Sequence, residues 1–132
     1  MITRMLTVFF SLFWTIQVSA HGESSLGPHG GYIKMPGGFH TEIVKISHFK
    51  FKVYLLDIAF KSPIVENSKV TATFKFKSGN RVVECQPKDD FFLCLLPESI
   101  KGKLQQIVLQ AKRAEMIGVE SAYEYPLRFN KK

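Results

Sequence analysis

From Phe39 onward the chain alternates apolar and polar side chains with a period of two. Phe39, Thr41, Ile43 and Lys45 fall on one side of an extended segment, and His40, Glu42, Val44 and Ile46 on the other. That is the period of a pleated strand, in which successive side chains point to opposite faces. The alternation returns over Phe49–Leu56, Val70–Lys77, Arg81–Glu84, Phe91–Leu96, Leu104–Leu109 and Tyr123–Phe129. Turn-forming residues bound the runs: Ser47-His48, Ser62-Pro63, Ser78-Gly79-Asn80, Lys88-Asp89-Asp90 and Pro97-Glu98-Ser99. Seven or eight short strands at this spacing predict an all-β fold, an antiparallel β-sandwich. No long stretch carries a helical period, and Ala111–Glu120 suits a single helical turn or a loose connection equally.

Ahead of these strands, Gly30-Gly31 and Gly37-Gly38 allow sharp turns and close approach at two places, and Pro36 fixes the bend between them. This predicts a glycine-turned hairpin over His29–Glu42, with His29 on the strand paired to His40 or just ahead of it. Cys85 and Cys94 flank a second turn. Counted outward from a centre between Asp89 and Asp90, they face each other, which predicts a disulfide if the chain is exported. A thiolate metal pair finds no second cysteine pair to complete it.

Export is what the first twenty residues predict. Arg4 supplies a positive start, Met5–Ile16 an apolar run, and Val18-Ser19-Ala20 a small-residue cleavage site, the three parts of a signal peptide. The run is short of the ~20 residues that span a bilayer, so no stable membrane anchor is expected after cleavage. No cysteine follows it, which argues against a lipoprotein. Cleavage after Ala20 makes His21 the amino terminus of a single domain over 21–132, in the periplasm or secreted. The leader's only charged side chain is Arg4, so the exported part keeps 17 basic against 11 acidic residues. These lysines are dispersed singly among apolar positions, as on the wet face of a strand. The clustered basics and stacking aromatics of a nucleic-acid site are missing.

Candidate chemistry concentrates in one place. The four histidines, His21, His29, His40 and His48, fall within 28 positions of each other. His40 and Glu42, two apart on a strand, project from the same face about 7 Å apart. If the hairpin brings His29 to them, two imidazoles and a carboxylate suit one copper or zinc ion. Met35 at the bend offers a thioether that Cu(I) accepts, and His21 adds a ring nitrogen and a free α-amine. The same residues serve as readily for a hydrogen bond on a strand face. His48, in a turn, reads as plain surface. No serine or cysteine sits in a nucleophile elbow, and Asp89-Asp90 reads as turn chemistry, so no enzymatic activity is expected.

Gly27-Pro28-His29-Gly30-Gly31, then Pro36-Gly37-Gly38-Phe39-His40-Thr41-Glu42-Ile43-Val44, then Val53-Tyr54-Leu55-Leu56-Asp57 resemble a family of small exported bacterial proteins. Its pattern is His-Gly-Gly…Gly-aromatic-His-x-Glu followed by a Tyr-Leu-x-Asp strand. The resemblance implies an immunoglobulin-like sandwich and an association with heavy-metal efflux and copper handling in the cell envelope. By position it implies His29, His40 and Glu42 as site residues. This chain departs from the pattern in Cys85 and Cys94, and in Ile58-Ala59-Phe60 where a polar turn is usual.

Two functions follow as expectations. One is a metal-binding or metal-chaperone protein of the envelope, partnered by a heavy-metal efflux component or another envelope protein. The other is a metal-free sandwich that binds a protein partner through a sheet edge or its loops. Phe91-Phe92 and Tyr123-Glu124-Tyr125, more aromatics than one face of each strand can bury, favour the second.

Overall fold

The computed structural model describes residues 25–129, so the expected leader and His21 lie outside the described residues. Ten strands follow in order: β1 (Tyr32–Lys34), β2 (His40–Ser47), β3 (Lys50–Leu56), β4 (Lys69–Phe76), β5 (Gly79–Glu84), β6 (Gln86–Lys88), β7 (Phe91–Leu95), β8 (Leu104–Arg113), β9 (Met116–Ile117) and β10 (Ser121–Glu124). They form two antiparallel sheets, β1-β2-β3-β7-β6 and β10-β8-β4-β5, with β9 paired to β8. No helix occurs among the described residues. The all-β, antiparallel, sandwich-like fold is as the alternation predicts.

The facing sheets share one core. Phe39, Phe51, Val53 and Leu55 from the first meet Val70, Phe74, Ile107 and Leu109 from the second, with the Phe51 and Phe74 rings 5.5 Å apart. Phe39, just ahead of β2, and Thr41 and Ile43 within it are buried toward the second sheet, as the alternation requires. Thr41 is the polar member of that face and is satisfied there. Its hydroxyl donates to the Tyr123 hydroxyl at 2.7 Å, which in turn donates to the Thr41 carbonyl at 3.0 Å.

The outer face of the first sheet is buried too. Ile33, Tyr54, Leu56 and Phe91 form a second apolar cluster there, with Val44, Phe60 and Leu93 packed against it. This corrects the expectation of surplus aromatics on β7, because Phe91 and Phe92 are both buried, one in each cluster. Two further expectations change. Ala111–Glu120 is no helical turn: β8 runs to Arg113, the chain reverses through Ala114 at φ +51°, and β9 returns beside it. The last strand stops at Glu124, before Tyr125-Pro126, where proline offers no amide to a ladder.

Cys85 and Cys94 are joined in a disulfide. The β6–β7 register, Gln86 opposite Leu93 and Lys88 opposite Phe91, centres the hairpin between Asp89 and Asp90 as counted from the sequence. Closing so short a loop contributes a little under ~3 kcal/mol by loop entropy. Cys85 lies where the chain passes from β5 in one sheet to β6 in the other, its amide still donating to Val70 of β4 at 2.9 Å. Across the molecule, Arg113 at the end of β8 ties the sheets again: Nε donates to the Leu55 carbonyl at 3.2 Å and Nη2 to that of Ser62 at 2.7 Å.

Candidate functional site

The outer cluster of the first sheet holds the histidine chemistry. β2 places Glu42 on that face opposite Tyr54 of β3, and the segment ahead of β1 folds back over both. Gly27 donates to the Gly31 carbonyl at 2.8 Å and receives the Gly30 amide at 3.0 Å, closing a tight loop with Gly30 at φ +75°. A Cβ on Gly31 would sit 2.5 Å from the Ile43 carbonyl oxygen, and one on Gly27 2.5 Å from Glu42 Oε2. Glycine is therefore required by close approach at 27 and 31, as well as by turning at 30.

This loop delivers three donors to one carboxylate. Glu42 Oε2 accepts the His29 amide and the Gly31 amide, each at 2.9 Å. Oε1 meets His29 Nδ1 at 2.7 Å. Glu42 has no exposed surface at all. Burying a carboxylate is costly unless it is paired and hydrogen-bonded, and these three short bonds supply that compensation. The His29 ring stacks flat on Tyr54, centroids 3.6 Å apart and planes 3° from parallel. Tyr54 in turn packs against Phe91. Burial, together with the negative charges of Asp90 and Glu42, pushes the Tyr54 hydroxyl above its ordinary pKa of 10.0.

The geometry fixes the His29 tautomer. A carboxylate can only accept, so Nδ1 carries a proton, and in the neutral imidazole Nε2 is the nitrogen with the lone pair. Among the described residues Nε2 has no hydrogen-bond partner, and the side chain keeps 31% of its surface in solvent.

His40 does not join this pair. Its ring lies against Phe60, centroids 4.1 Å apart, and Nδ1 is 3.1 Å from the Asp57 carbonyl oxygen, to which it donates. The Asp57 turn that receives it is built locally. Asp57 Oδ1 accepts the amides of Ala59 and Lys61, each at 2.9 Å, and Phe60 sits at φ +61° with its amide on the Asp57 carbonyl. The Lys61 amide foremost, then that of Ala59, holds the Asp57 carboxyl below its usual range despite some opposing desolvation. Phe60, in the Ile58-Ala59-Phe60 turn, thus supplies the aromatic lid over His40.

Of the expected site residues, His29 and Glu42 meet, His40 stands apart, Met35 is half exposed in the β1–β2 loop, and His21 lies outside the described residues. No group of three or more His, Cys, Asp or Glu side chains is arranged to hold a metal ion among the described residues. Sequence reasoning missed Tyr54 as the platform under His29. The signal was its place in the alternating run Phe49–Leu56, which pairs it directly with Glu42.

No family model, curated protein or solved structure matches the chain.

Proposed function

We propose that this is an exported metal-binding protein for copper or zinc, serving metal homeostasis or delivery in the cell envelope. One observation carries the reading: a buried glutamate holds Nδ1 of a partly exposed histidine and leaves Nε2 free. Metal-binding imidazoles are habitually oriented this way by a carboxylate behind them. Glu42 then acts as the orienting group rather than as a ligand, and His29 Nε2 as the donor. The remaining donors come from outside the described cluster, from His21 with its α-amine, from Met35, or from a partner such as an efflux component. So open a site suits transfer of an ion more than storage. The leader-like first twenty residues and the disulfide support a periplasmic or secreted location. The strand order supports an immunoglobulin-like sandwich, with β2-β3-β7-β6 in the places of strands A, B, E and D and β10-β8-β4 in those of G, F and C.

The test is calorimetric titration of the processed, untagged chain with Cu(II) and Zn(II), beside His29→Ala, Glu42→Gln and His40→Ala. One-to-one binding that His29→Ala abolishes, that Glu42→Gln weakens about 10–100-fold and that His40→Ala leaves in place is the expected outcome. Undiminished binding in His29→Ala would refute the assignment.

A second reading, a metal-free module for a protein partner, is favoured by a separate observation. Met35, Met116, Ile117 and Val119 are exposed at the end of the molecule where the β1–β2 loop meets the β8–β9 hairpin. The two segments are joined there by the Val119 amide on the Pro36 carbonyl at 3.0 Å. Contiguous exposed apolar surface of this kind marks interaction sites.

A further inference from the structure

The opposite end of the sandwich carries a feature that neither reading uses. Between the sheets, at the β2–β3 turn, a cavity of about 330 Å³ opens to solvent. Its walls are Phe49, Phe76, Leu96, Ile100, Leu104 and Tyr125; His48 and Lys103 are its basic lining residues, and among the described residues no acidic side chain lines it. We propose that this cavity binds a small anionic amphiphile, a carboxylate with a medium-length aliphatic or aryl body.

The cavity is built into the backbone. The pairing register slips between Lys45 and Ser47 on β2 and between Lys75 and Phe76 on β4. Both irregularities lie at this end, one in each sheet, and such bulges bend strands and end regular pairing. The walls are then fixed by backbone bonds: Leu96 donates to Phe49 at 2.8 Å, Lys77 to Lys103 at 3.3 Å, and Tyr125 to Gln105 at 3.0 Å. Gly102, at φ +117° and with a would-be Cβ 3.1 Å from Ser78 Oγ, lets the loop after β7 close the remaining side. A pocket held by strand ends and turns is preformed, and its volume falls at the lower end of the range for small-molecule sites.

The charge around it selects the ligand. His48 and Lys103 line the opening itself. Lys50, Lys77 and Lys101 directly follow Phe49, Phe76 and Ile100 of its walls in the chain, against Glu98 in the loop after β7 and Glu124 beside Tyr125, whose carboxylate already accepts from Gln106 at 3.0 Å. Lys45 adds its ammonium 5.3 Å from the centre of the Tyr125 ring. An apolar body removes the exposed wall from water, while a carboxylate at the mouth gains charge-assisted hydrogen bonds from Lys103. A cationic amphiphile of equal length meets the same walls and a repulsive rim.

The experiment is a calorimetric titration of the processed chain with decanoate, 4-phenylbutyrate, decanol and decylammonium, kept below micellar concentrations and with EDTA present. Saturable one-to-one binding of at least one carboxylate is expected, with decanol and Lys103→Glu about tenfold weaker and decylammonium without binding. Ile100→Trp, which fills the cavity, should abolish binding. Lys103→Glu changes an exposed side chain and keeps the test decisive if the tryptophan variant folds poorly. Intermolecular nuclear Overhauser effects from the ligand chain to Phe49 and Leu96 locate it. Absence of saturable binding by both carboxylates, equal binding of decylammonium, or undiminished binding in Lys103→Glu or a folded Ile100→Trp would overturn the proposal.

Discussion

Replacing Glu42 by glutamine tests the central pair in one atom. The carboxylate accepts three bonds, at 2.9, 2.9 and 2.7 Å, in a site without solvent. A hydrogen bond to a charged group contributes about 1.5–3 kcal/mol and a neutral one about 0.5–1.5, so each bond weakens by roughly 1 kcal/mol. Glutamine keeps an oxygen for the two backbone amides but turns its NH₂ toward His29 Nδ1. The imidazole must then move its proton to Nε2 in order to accept. The expected cost is about 2–3 kcal/mol, or a fall in Tm on the order of 10 °C. Urea unfolding of the oxidised protein, followed by far-UV circular dichroism, measures it. His29→Ala leaves both backbone bonds in place but strips Oε1 of its partner; the ring is already one-third in water, so solvent reaches the vacated space and the cost should be about 1–3 kcal/mol. Two-dimensional ¹⁵N–¹H spectra of the ring should show the proton on Nδ1 in the native protein and on Nε2 in Glu42→Gln. A glutamine variant within about 0.5 kcal/mol of the native protein, or an unchanged tautomer, would refute the reasoning.

The glycine loop gives a steric test. Gly31→Ala places a methyl 2.5 Å from the Ile43 carbonyl oxygen and should cost about 1–3 kcal/mol, with loss of hydrogen-exchange protection at the residue 31 amide. Gly37→Ala, whose nearest neighbouring atom is 3.8 Å away, should be close to neutral by the same urea assay. Tyr54 gives a pH test. Its pKa is raised on folding, so its contribution is fully present below pH 10 and is lost as pH rises through the folded value. Stability should therefore fall above pH 10 and fall less steeply in Tyr54→Phe; equal alkaline slopes in the two proteins would contradict the assignment.

Alternation could be read from the sequence wherever strand neighbours alone decide burial. It separated Phe39, Thr41 and Ile43 from His40 and Glu42, and the turn at Asp89-Asp90 placed Cys85 opposite Cys94. It could not reveal that the outer face of the first sheet is covered, because the cover comes from a loop of glycines with no period of its own. For that reason His29 was readable as near the second strand, but its choice of Glu42 over His40 was not. His40 was diverted by Phe60 and the Asp57 carbonyl, a turn contact set by φ values that residue type does not announce. Tyr54 counted as one more aromatic in a strand until the loop above it gave the ring a partner. At the far end, the cavity depends on two register slips, and a two-residue period carries no information about where pairing fails.

The lengths of the outermost strands decide how this protein can aggregate. An edge strand offers unpaired amides and carbonyls to a neighbouring molecule. β1 and β6 are three residues long, β9 two and β10 four, and β6 contains Pro87. None of these is long enough to template a stable intermolecular ladder. β5 is different: six residues, Gly79–Glu84, mostly exposed, with Val82 64% in solvent. Among the described residues β5 is therefore the longest strand left open at a sheet edge, with Arg81 and Glu84 beside its valines as charged guards against misassembly.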